Sequence, residues 1–292
     1  MNRFLALLLA LLFACVTVSS ACTAAADNGW IHFTLEPSPN GDGKIQARFR
    51  GGELERHDND WSAGFMPSDL IGLDLAGFRL PGSQPLRFAL VREAGRLDCA
   101  GNGGGSLASG NCRFTPDAAF TQMLASRGVG RPTKEQALGL MALDARRDIL
   151  DAVATAHYPA PTIDDLMSLT AVGVTGPYIS QMAQVGYRPK SIEALIEFKA
   201  LNITPQWIGG FVRAGYANVP GDELVQLKAM NITPDYVAGF ERAGYPNLPV
   251  DTLVQLKALN ITPDFVRWAS AGRSTMPPVN DLVEMKIFGR KR

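Results

Sequence analysis

Two cysteines in the first half of the chain are the residues best suited to a defined chemistry. Cys99 and Cys112 flank a glycine-rich segment, residues 101–106. A pair of cysteines in an oxidising compartment is expected to form a disulfide. A zinc site would need four ligands, and no pair of histidines accompanies these two cysteines. We therefore predict a Cys99–Cys112 disulfide.

Two other polar segments are weaker candidates for chemistry. His57, Asp58 and Asp60, next to Trp61, could form a metal or general-base site, but the chain has only three histidines and a solvated loop is the favoured interpretation. Residues 101–106 are not a phosphate loop, because no Gly-Lys-Ser/Thr follows them and Ser106 replaces the last glycine of G-x-G-x-x-G. Since no catalytic constellation can be assembled, we expect no enzyme activity, no cofactor and no metal.

Four lysines recur at a fixed interval of 29 residues in the second half of the chain. They are Lys199, Lys228, Lys257 and Lys286. A stripe of this kind could bind an acidic protein or an anionic polymer. The alternative is that the lysines complement helix dipoles, because Glu193, Asp222 and Asp251 begin three of the same predicted helices. We favour the dipole role and keep the four lysines as the candidate binding stripe.

Four aromatic residues recur at the same interval. They are Tyr178, Trp207, Tyr236 and Phe265. They could line a binding groove, but first-turn positions next to apolar helical residues favour packing within or between repeats.

The overall composition limits the choice of partners. Lys plus Arg and Asp plus Glu both number 28, and this balance argues against nucleic acid as a partner. Residues 1–26 resemble a signal peptide, with Arg3 before an apolar run and small residues before Asp27. We expect an exported protein, periplasmic or extracellular. A lipid anchor at Cys15 or Cys22, in imperfect lipobox sequences, or an uncleaved signal would be its route to a membrane.

Residues 27–114 are predicted to form a small antiparallel β domain. Residues 30–35 and 44–50 flank a Pro-, Asn- and Gly-rich turn and predict a hairpin. Residues 86–92 alternate apolar and charged side chains, as a half-buried strand does. Residues 96–99 and 110–114 are predicted to be two strands joined by the disulfide. Residues 67–78 fit either a short helix or a loop.

The rest of the chain repeats with the period of 29 residues, which is typical of a solenoid. Each repeat contains two predicted helices, called helix A and helix B. Three helix A positions are assigned to one buried face, in the sets Leu195, Leu224, Leu253, Leu282; Phe198, Leu227, Leu256, Met285; and Leu201, Met230, Leu259, Phe288.

The corner between the two helices follows a fixed sequence pattern. Asn202, Asn231 and Asn260 follow helix A, and such residues tolerate the left-handed backbone region. Thr-Pro pairs come two residues later and predict an N-cap followed by a first-turn proline, at Thr204, Thr233 and Thr262; Thr175, followed by Gly176, has the same place in an earlier copy.

Residues 115–161 are predicted to hold linking helices and a degenerate repeat, in which Arg146 stands at the N-cap position and Thr115-Pro116 begins a lone helix B. Residues 162–292 are the regular array with a C-terminal cap.

The repeat unit, as in residues 227–237 followed by Ala243-Gly244-Tyr245, resembles short helical repeats of exported bacterial proteins. Similar repeats are appended to membrane metalloproteases of the β-lactam-sensor type. The resemblance covers the repeat region and implies a helical array. It does not imply protease activity, because His-Glu-x-x-His is absent from the sequence.

The sequence predicts an α+β protein, in which a small antiparallel β domain precedes an all-α solenoid. Its expected function is that of a non-catalytic scaffold with a protein partner, an anionic polymer being the alternative partner. The alternative function is ligand capture, in which the β domain binds a small molecule or glycan.

Overall fold

The computed structural model describes residues 30–51 and 61–289. They form a six-stranded antiparallel sheet followed by a helical region, so the predicted α+β class is confirmed. The strands are β1 (Trp30–Pro37), β2 (Ile45–Gly51), β3 (Trp61–Phe65), β4 (Gln84–Arg92), β5 (Gly95–Gly104) and β6 (Leu107–Pro116). Between β3 and β4 lie a 3-10 turn (Pro67–Asp69) and the short helix α1 (Leu75–Arg79), so both interpretations of residues 67–78 hold in part.

The strand order is β3-β2-β1-β6-β5-β4, which places the first strand beside the last. One face of the sheet is apolar, and in β1 it is formed by Ile31, Phe33 and Leu35, which are buried. The two edge strands are linked by a side-chain contact, in which the Arg92 guanidinium of β4 lies 5.5 Å from the centre of the Phe65 ring in β3. The alternating side chains on the opposite face are mostly exposed, except Ala89, which is buried and pairs with Ile71.

β5 and β6 form a hairpin with a two-residue turn at Gly105 and Ser106. Both residues have positive φ, of 62° and 67°, as a type I′ turn requires. Gly104 could not be replaced, since an added Cβ would fall on the carbonyl oxygen of Gly82. The glycines therefore serve a tight turn and a close approach of two backbones.

The helical region begins with α2 (Ala118–Ser126), whose N-cap is Asp117. The predicted start at Thr115-Pro116 is wrong, because β6 continues through both residues. Five helix pairs and a last helix follow: α3 (Lys134–Ala142), α4 (Arg147–Thr155), α5 (Ile163–Ala171), α6 (Gly176–Gln184), α7 (Ile192–Ala200), α8 (Pro205–Arg213), α9 (Gly221–Ala229), α10 (Pro234–Arg242), α11 (Val250–Ala258), α12 (Pro263–Ser270) and α13 (Val279–Phe288).

The corner pattern of the repeat is confirmed residue by residue. Asn202, Asn231 and Asn260 all have φ near +50°. The hydroxyls of the predicted N-cap threonines accept hydrogen bonds from backbone N–H groups three residues later, as in Thr204 with Trp207. Arg146 makes no side-chain cap on α4, in line with the degenerate repeat predicted there.

The third set of helix A residues does not lie on the buried face. Leu201 is 39% exposed and Phe288 is 76% exposed, whereas Leu195 and Leu227 are fully buried. The reason is geometric: each step of three residues rotates by 300°, so a third position has drifted about 120° from the first. Leu201, Met230 and Leu259 are C-caps of their helices, and Phe288 is the last residue of α13. Met230 and Leu259 remain half-buried at the edge of the core.

Helices stack in two layers, with A helices on A helices and B helices on B helices, as in the contacts of α5 with α7 and of α8 with α10. Glycines allow the B helices to approach closely. At Gly210 and Gly239 an added Cβ would lie 2.6 Å and 2.5 Å from the Cγ of Pro234 and Pro263 in the next B helix. The first-turn prolines thus have a packing role besides their role in starting the helix.

Candidate functional site

The lysine stripe and the aromatic series form a single feature of the array. Each lysine lies in the last turn of an A helix, and its ammonium group faces an aromatic ring of the preceding B helix. The pairs are Lys199 with Tyr178 at 4.9 Å, Lys228 with Trp207 at 5.3 Å, Lys257 with Tyr236 at 4.9 Å and Lys286 with Phe265 at 5.1 Å. We call these four pairs the lysine–aromatic ladder.

The ladder positions its lysines by contacts between repeats. The Lys228 ammonium also donates a hydrogen bond of 2.8 Å to the carbonyl oxygen of Asn202, at the end of the preceding A helix. A lysine on an aromatic ring contributes about 0.5–1 kcal/mol at an exposed site. The ladder therefore connects adjacent repeats, and it leaves one half-buried or exposed ammonium group per repeat at the surface.

The aromatic residues of the ladder pack between repeats, as predicted. The hydroxyls of Tyr178 and Tyr236 each donate a 2.8 Å hydrogen bond to a backbone carbonyl of the next corner, at Ile203 and Ile261. Burial raises the pKa of Tyr178 and of Tyr236 above the ordinary tyrosine value. Both hydroxyls are therefore neutral donors at physiological pH and are unsuited to acid–base work there.

A second series of tyrosines, whose role the sequence did not predict, connects the loops between repeats. The hydroxyls of Tyr158 and Tyr216 donate hydrogen bonds of 2.8 Å and 2.7 Å to the carbonyls of Pro189 and Leu248. Tyr245 donates in the same way to Pro277. The series is visible in the sequence, because Tyr216 and Tyr245 follow the terminal glycines of their B helices and Tyr158 follows His157 at the same place, but each acceptor lies more than one repeat ahead.

The predicted disulfide is confirmed. Cys99 and Cys112 face each other directly in the register of β5 and β6, and their sulfurs are bonded. Both are buried on the inner face of the sheet. The bond is compatible with an oxidising compartment.

The last residue of β4, Arg92, and the residue after it, Glu93, attach the sheet to the first helix pair. The Arg92 guanidinium donates hydrogen bonds of 2.7 Å and 2.6 Å to the carbonyls of Met141 and Ala142, at the end of α3. Burial lowers the pKa of Arg92, while the nearby Asp144 carboxylate, 3.6 Å away, acts in the opposite direction. Arg92 thus supplies a C-cap to a helix from outside that helix.

Glu93 does the same for the start of the next helix. Its carboxylate accepts hydrogen bonds from the backbone N–H and the Nε–H of Arg147, at 3.0 Å and 2.9 Å. Arg147 is the first residue of α4, whose own N-cap residue, Arg146, makes no cap. Partial burial acts to raise the pKa of Glu93, but the Arg147 hydrogen bonds outweigh it and the pKa is lowered. No local pattern in the sequence indicated this contact.

The structure gives less information about the other predicted sites. His57, Asp58 and Asp60 lie outside the described residues, as do Cys15, Cys22 and the signal region. Trp61 begins β3 and stacks on Phe49 with ring centres 4.2 Å apart. In residues 30–51 and 61–289, no group of three or more His, Cys, Asp or Glu side chains is arranged to hold a metal ion. The same residues contain no helix with the length and apolar character that crossing a bilayer requires.

Comparison with known proteins gives no relative for this chain. No family model, no curated protein and no solved structure matches it. The resemblance to bacterial helical repeats stays a prediction from the repeat residues, and the site must be interpreted from its own geometry.

Proposed function

We propose that this protein is an exported, non-catalytic scaffold whose helical array binds a protein partner. The observation that carries the proposal is that residues recurring every 29 positions have folding roles. Threonines cap helices, asparagines end them, prolines pack on glycines, and the ladder aromatics and lysines hold repeats together. An array built in this way is a rigid surface, and a solenoid presents such a surface to partners.

The ladder is the part of this surface best suited to recognition. Its four ammonium groups stand at one per repeat, and each is held on a ring instead of moving freely. Fixed cationic and aromatic groups lose less entropy on binding than free side chains do. An acidic segment of a protein partner fits this arrangement, and an anionic polymer is the alternative ligand. The disulfide supports export.

Affinity capture from an envelope extract with matched variants tests the proposal. The ladder variant carries Lys199→Gln, Lys228→Gln and Lys257→Gln, and the control carries Lys190→Gln, at an exposed lysine outside the ladder. We expect one partner protein to be retained by the wild type and the control and lost from the ladder variant. Thermal unfolding of each variant separates loss of binding from loss of the fold.

The purified partner must then bind with a Kd that rises at least about tenfold in the folded ladder variant, a change of about 1.4 kcal/mol. Equal retention by all three proteins, with the ladder variant folded, would contradict the proposal. If a soluble polyanion abolishes retention and no protein is retained specifically, an anionic polymer would be the favoured ligand.

A further inference from the structure

The exposed face of the sheet contains a cavity that has no part in the array. It is a cavity of about 550 Å³ over β4, β5 and β6. Its floor includes Ala89 and Ala100, whose short side chains leave room between longer neighbours. The polar and aromatic residues around that floor are Trp30, Arg87, Arg96, Asp98, Asn111 and Arg113. We call this cavity the sheet basin.

The strand register brings three arginines to the basin from three adjacent strands. Arg87 of β4 pairs with Ala100, which pairs in turn with Asn111 of β6. Asp98 of β5 pairs with Arg113, which pairs with Trp30 of β1. Because neighbouring strands lie about 4.8 Å apart, the strands of Arg87 and Arg113 are separated by about 10 Å. Guanidinium groups on long side chains can therefore converge over the floor.

The charge of the basin is unbalanced. Three guanidinium groups face one carboxylate, and Asp98 is already hydrogen-bonded to Arg96 at 2.7 Å. Arg113 lies over the Trp30 ring at 5.3 Å. Among the residues that the structure describes, Arg87 has no hydrogen bond or ion pair. Two of the three positive charges thus have no counter-charge within the basin.

The disulfide lies directly beneath this basin. Cys99 stands between Asp98 and Ala100, and Cys112 stands between Asn111 and Arg113, so the alternation of the strands puts the sulfurs inside and the basin residues outside. The hairpin is already fixed by ten paired positions from Gly95 to Gly104. A covalent bond in its middle adds rigidity to the strands that carry the basin, and a rigid site lowers the entropic cost of binding.

We propose that the sheet basin binds an anionic ligand with carboxylate groups, held by Arg87 and Arg113. The planar guanidinium matches these oxyanions with paired hydrogen bonds, which favours them over chloride. Asn111 adds an amide for hydrogen bonding, and the half-exposed Trp30, with Ile71 at the opposite rim, provides apolar surface for an organic body. The site is on the sheet and does not depend on the proposed role of the array.

Titration calorimetry on the full chain, with two probes, distinguishes two types of anionic ligand. Citrate represents a free small anion, and tetragalacturonate represents an acidic oligosaccharide. We expect at least one to bind with a Kd below about 1 mM at low salt, weakening as ionic strength rises. The tighter probe identifies the source. An uncharged oligosaccharide of the same length should not bind, and if neither anion binds below that limit the proposal is wrong.

Variants locate the site. Arg87→Gln with Arg113→Gln should raise the Kd at least tenfold, because each lost charge-assisted hydrogen bond is worth roughly that factor or more. Arg79→Gln is the matched control, since this exposed arginine of the same domain lies outside the basin. An equal Kd in the folded double variant would overturn the assignment of Arg87 and Arg113.

The disulfide is tested separately with Cys99→Ser and Cys112→Ser together. We expect a several-fold higher Kd while the far-ultraviolet circular dichroism stays unchanged. If the double serine variant instead unfolds, titration of the wild type before and after mild reduction gives the same comparison at a temperature where the reduced protein keeps its spectrum. An unchanged Kd with an intact fold would show that the disulfide does not preorganise the basin.

Discussion

At the residue scale, the repeat is a set of short-range rules with different physical origins. Thr233 caps a helix, Asn231 turns the chain through the left-handed region, and Pro234 begins the next helix. Gly210 and Gly239 belong to this set because the next proline occupies the space of a side chain. In α12, the last B helix among the described residues, Trp268 stands at the corresponding place and is 49% exposed. Glycine therefore occupies this position only where the proline of the next B helix packs against it.

This rule predicts that Gly239→Ala lowers the free energy of unfolding, which is the opposite of the usual effect of Gly→Ala in a helix. In a helix interior the change normally stabilises by roughly 1 kcal/mol. Here the new methyl would lie 2.5 Å from the Pro263 Cγ, inside a packed interface. Overpacking of this kind costs about 1–3 kcal/mol, so we expect a net loss in the free energy of unfolding, measured by urea denaturation.

Gly139→Ala is the matched control for that substitution. Its methyl would meet only the terminal Cε of Met167, at 2.6 Å, and that flexible end can move. We expect Gly139→Ala to be neutral or stabilising, and we expect Pro263→Ala to reduce the cost of Gly239→Ala. Equal stability of the Gly139→Ala and Gly239→Ala proteins would contradict the interlock between glycine and proline.

At the element scale, local features could be predicted and distant pairings could not. The helix corners were predicted correctly because asparagine, threonine and proline act within a few residues of one another. The β5–β6 hairpin was predictable from its glycines and its cysteines. The placement of β1 beside β6 was not, because an alternating strand shows which side chains are buried but not which strand lies next to it.

The same limit applies to the ladder and to the caps of α3 and α4. Both series of the ladder were visible at 29-residue spacing, but their contact depends on how one repeat stacks on the next. Glu93 caps a helix that begins 54 residues later. Nothing near Glu93 in the sequence distinguishes it from an ordinary charged residue in a turn, so only the tertiary structure reveals its role.

The cap by Glu93 gives a prediction with a defined pH dependence. Since the folded-state pKa of Glu93 is lowered, its contribution is complete above the unfolded-state pKa of about 4.3 and is lost as pH falls through the lower folded value. Glu93→Gln should cost about 1 kcal/mol near neutral pH, the value of an N-cap. The difference from the wild type should shrink below about pH 4 as the wild-type carboxyl is protonated.

Urea unfolding of both proteins between about pH 3 and pH 7 checks this dependence. Glu36→Gln is a suitable control, because Glu36 is an exposed carboxylate that pairs with Arg48 at 3.6 Å and caps no helix. An exposed pair of this kind contributes little, so its removal should leave stability within about 0.5 kcal/mol of the wild type. A pH-independent difference for Glu93→Gln would show that the side chain acts through packing and not through its charge.

At the scale of the whole molecule, the sheet and the array share one continuous apolar core. Buried residues run without a break from Phe33 and Phe88 in the sheet through Leu124 and Met141 to the repeats. A solenoid needs its first and last repeats covered. The sheet contacts the first helix pair at α3, and α13 contacts the last pair at α12, so the small β domain lies where the N-terminal cap of the array is needed.

Arg92 is the residue that should couple the two parts, and Arg92→Ala tests this role. The change removes two short hydrogen bonds to the end of α3, at Met141 and Ala142. The Met141 carbonyl keeps a hydrogen bond from the Asp144 backbone N–H, whereas the Ala142 carbonyl loses the donor that Arg92 supplied. Because a hydrogen bond from a charged donor is worth about 1.5–3 kcal/mol, we expect a loss of that order. We also expect calorimetric unfolding to broaden or divide into two transitions, because the sheet would no longer unfold together with the array.

Arg131→Ala is the control, at an exposed arginine at the start of the same repeat, and this variant should unfold as the wild type does. If Arg92→Ala merely lowers the single transition temperature without broadening it, the shared core alone couples the sheet to the array, and Arg92 contributes stability without cooperativity.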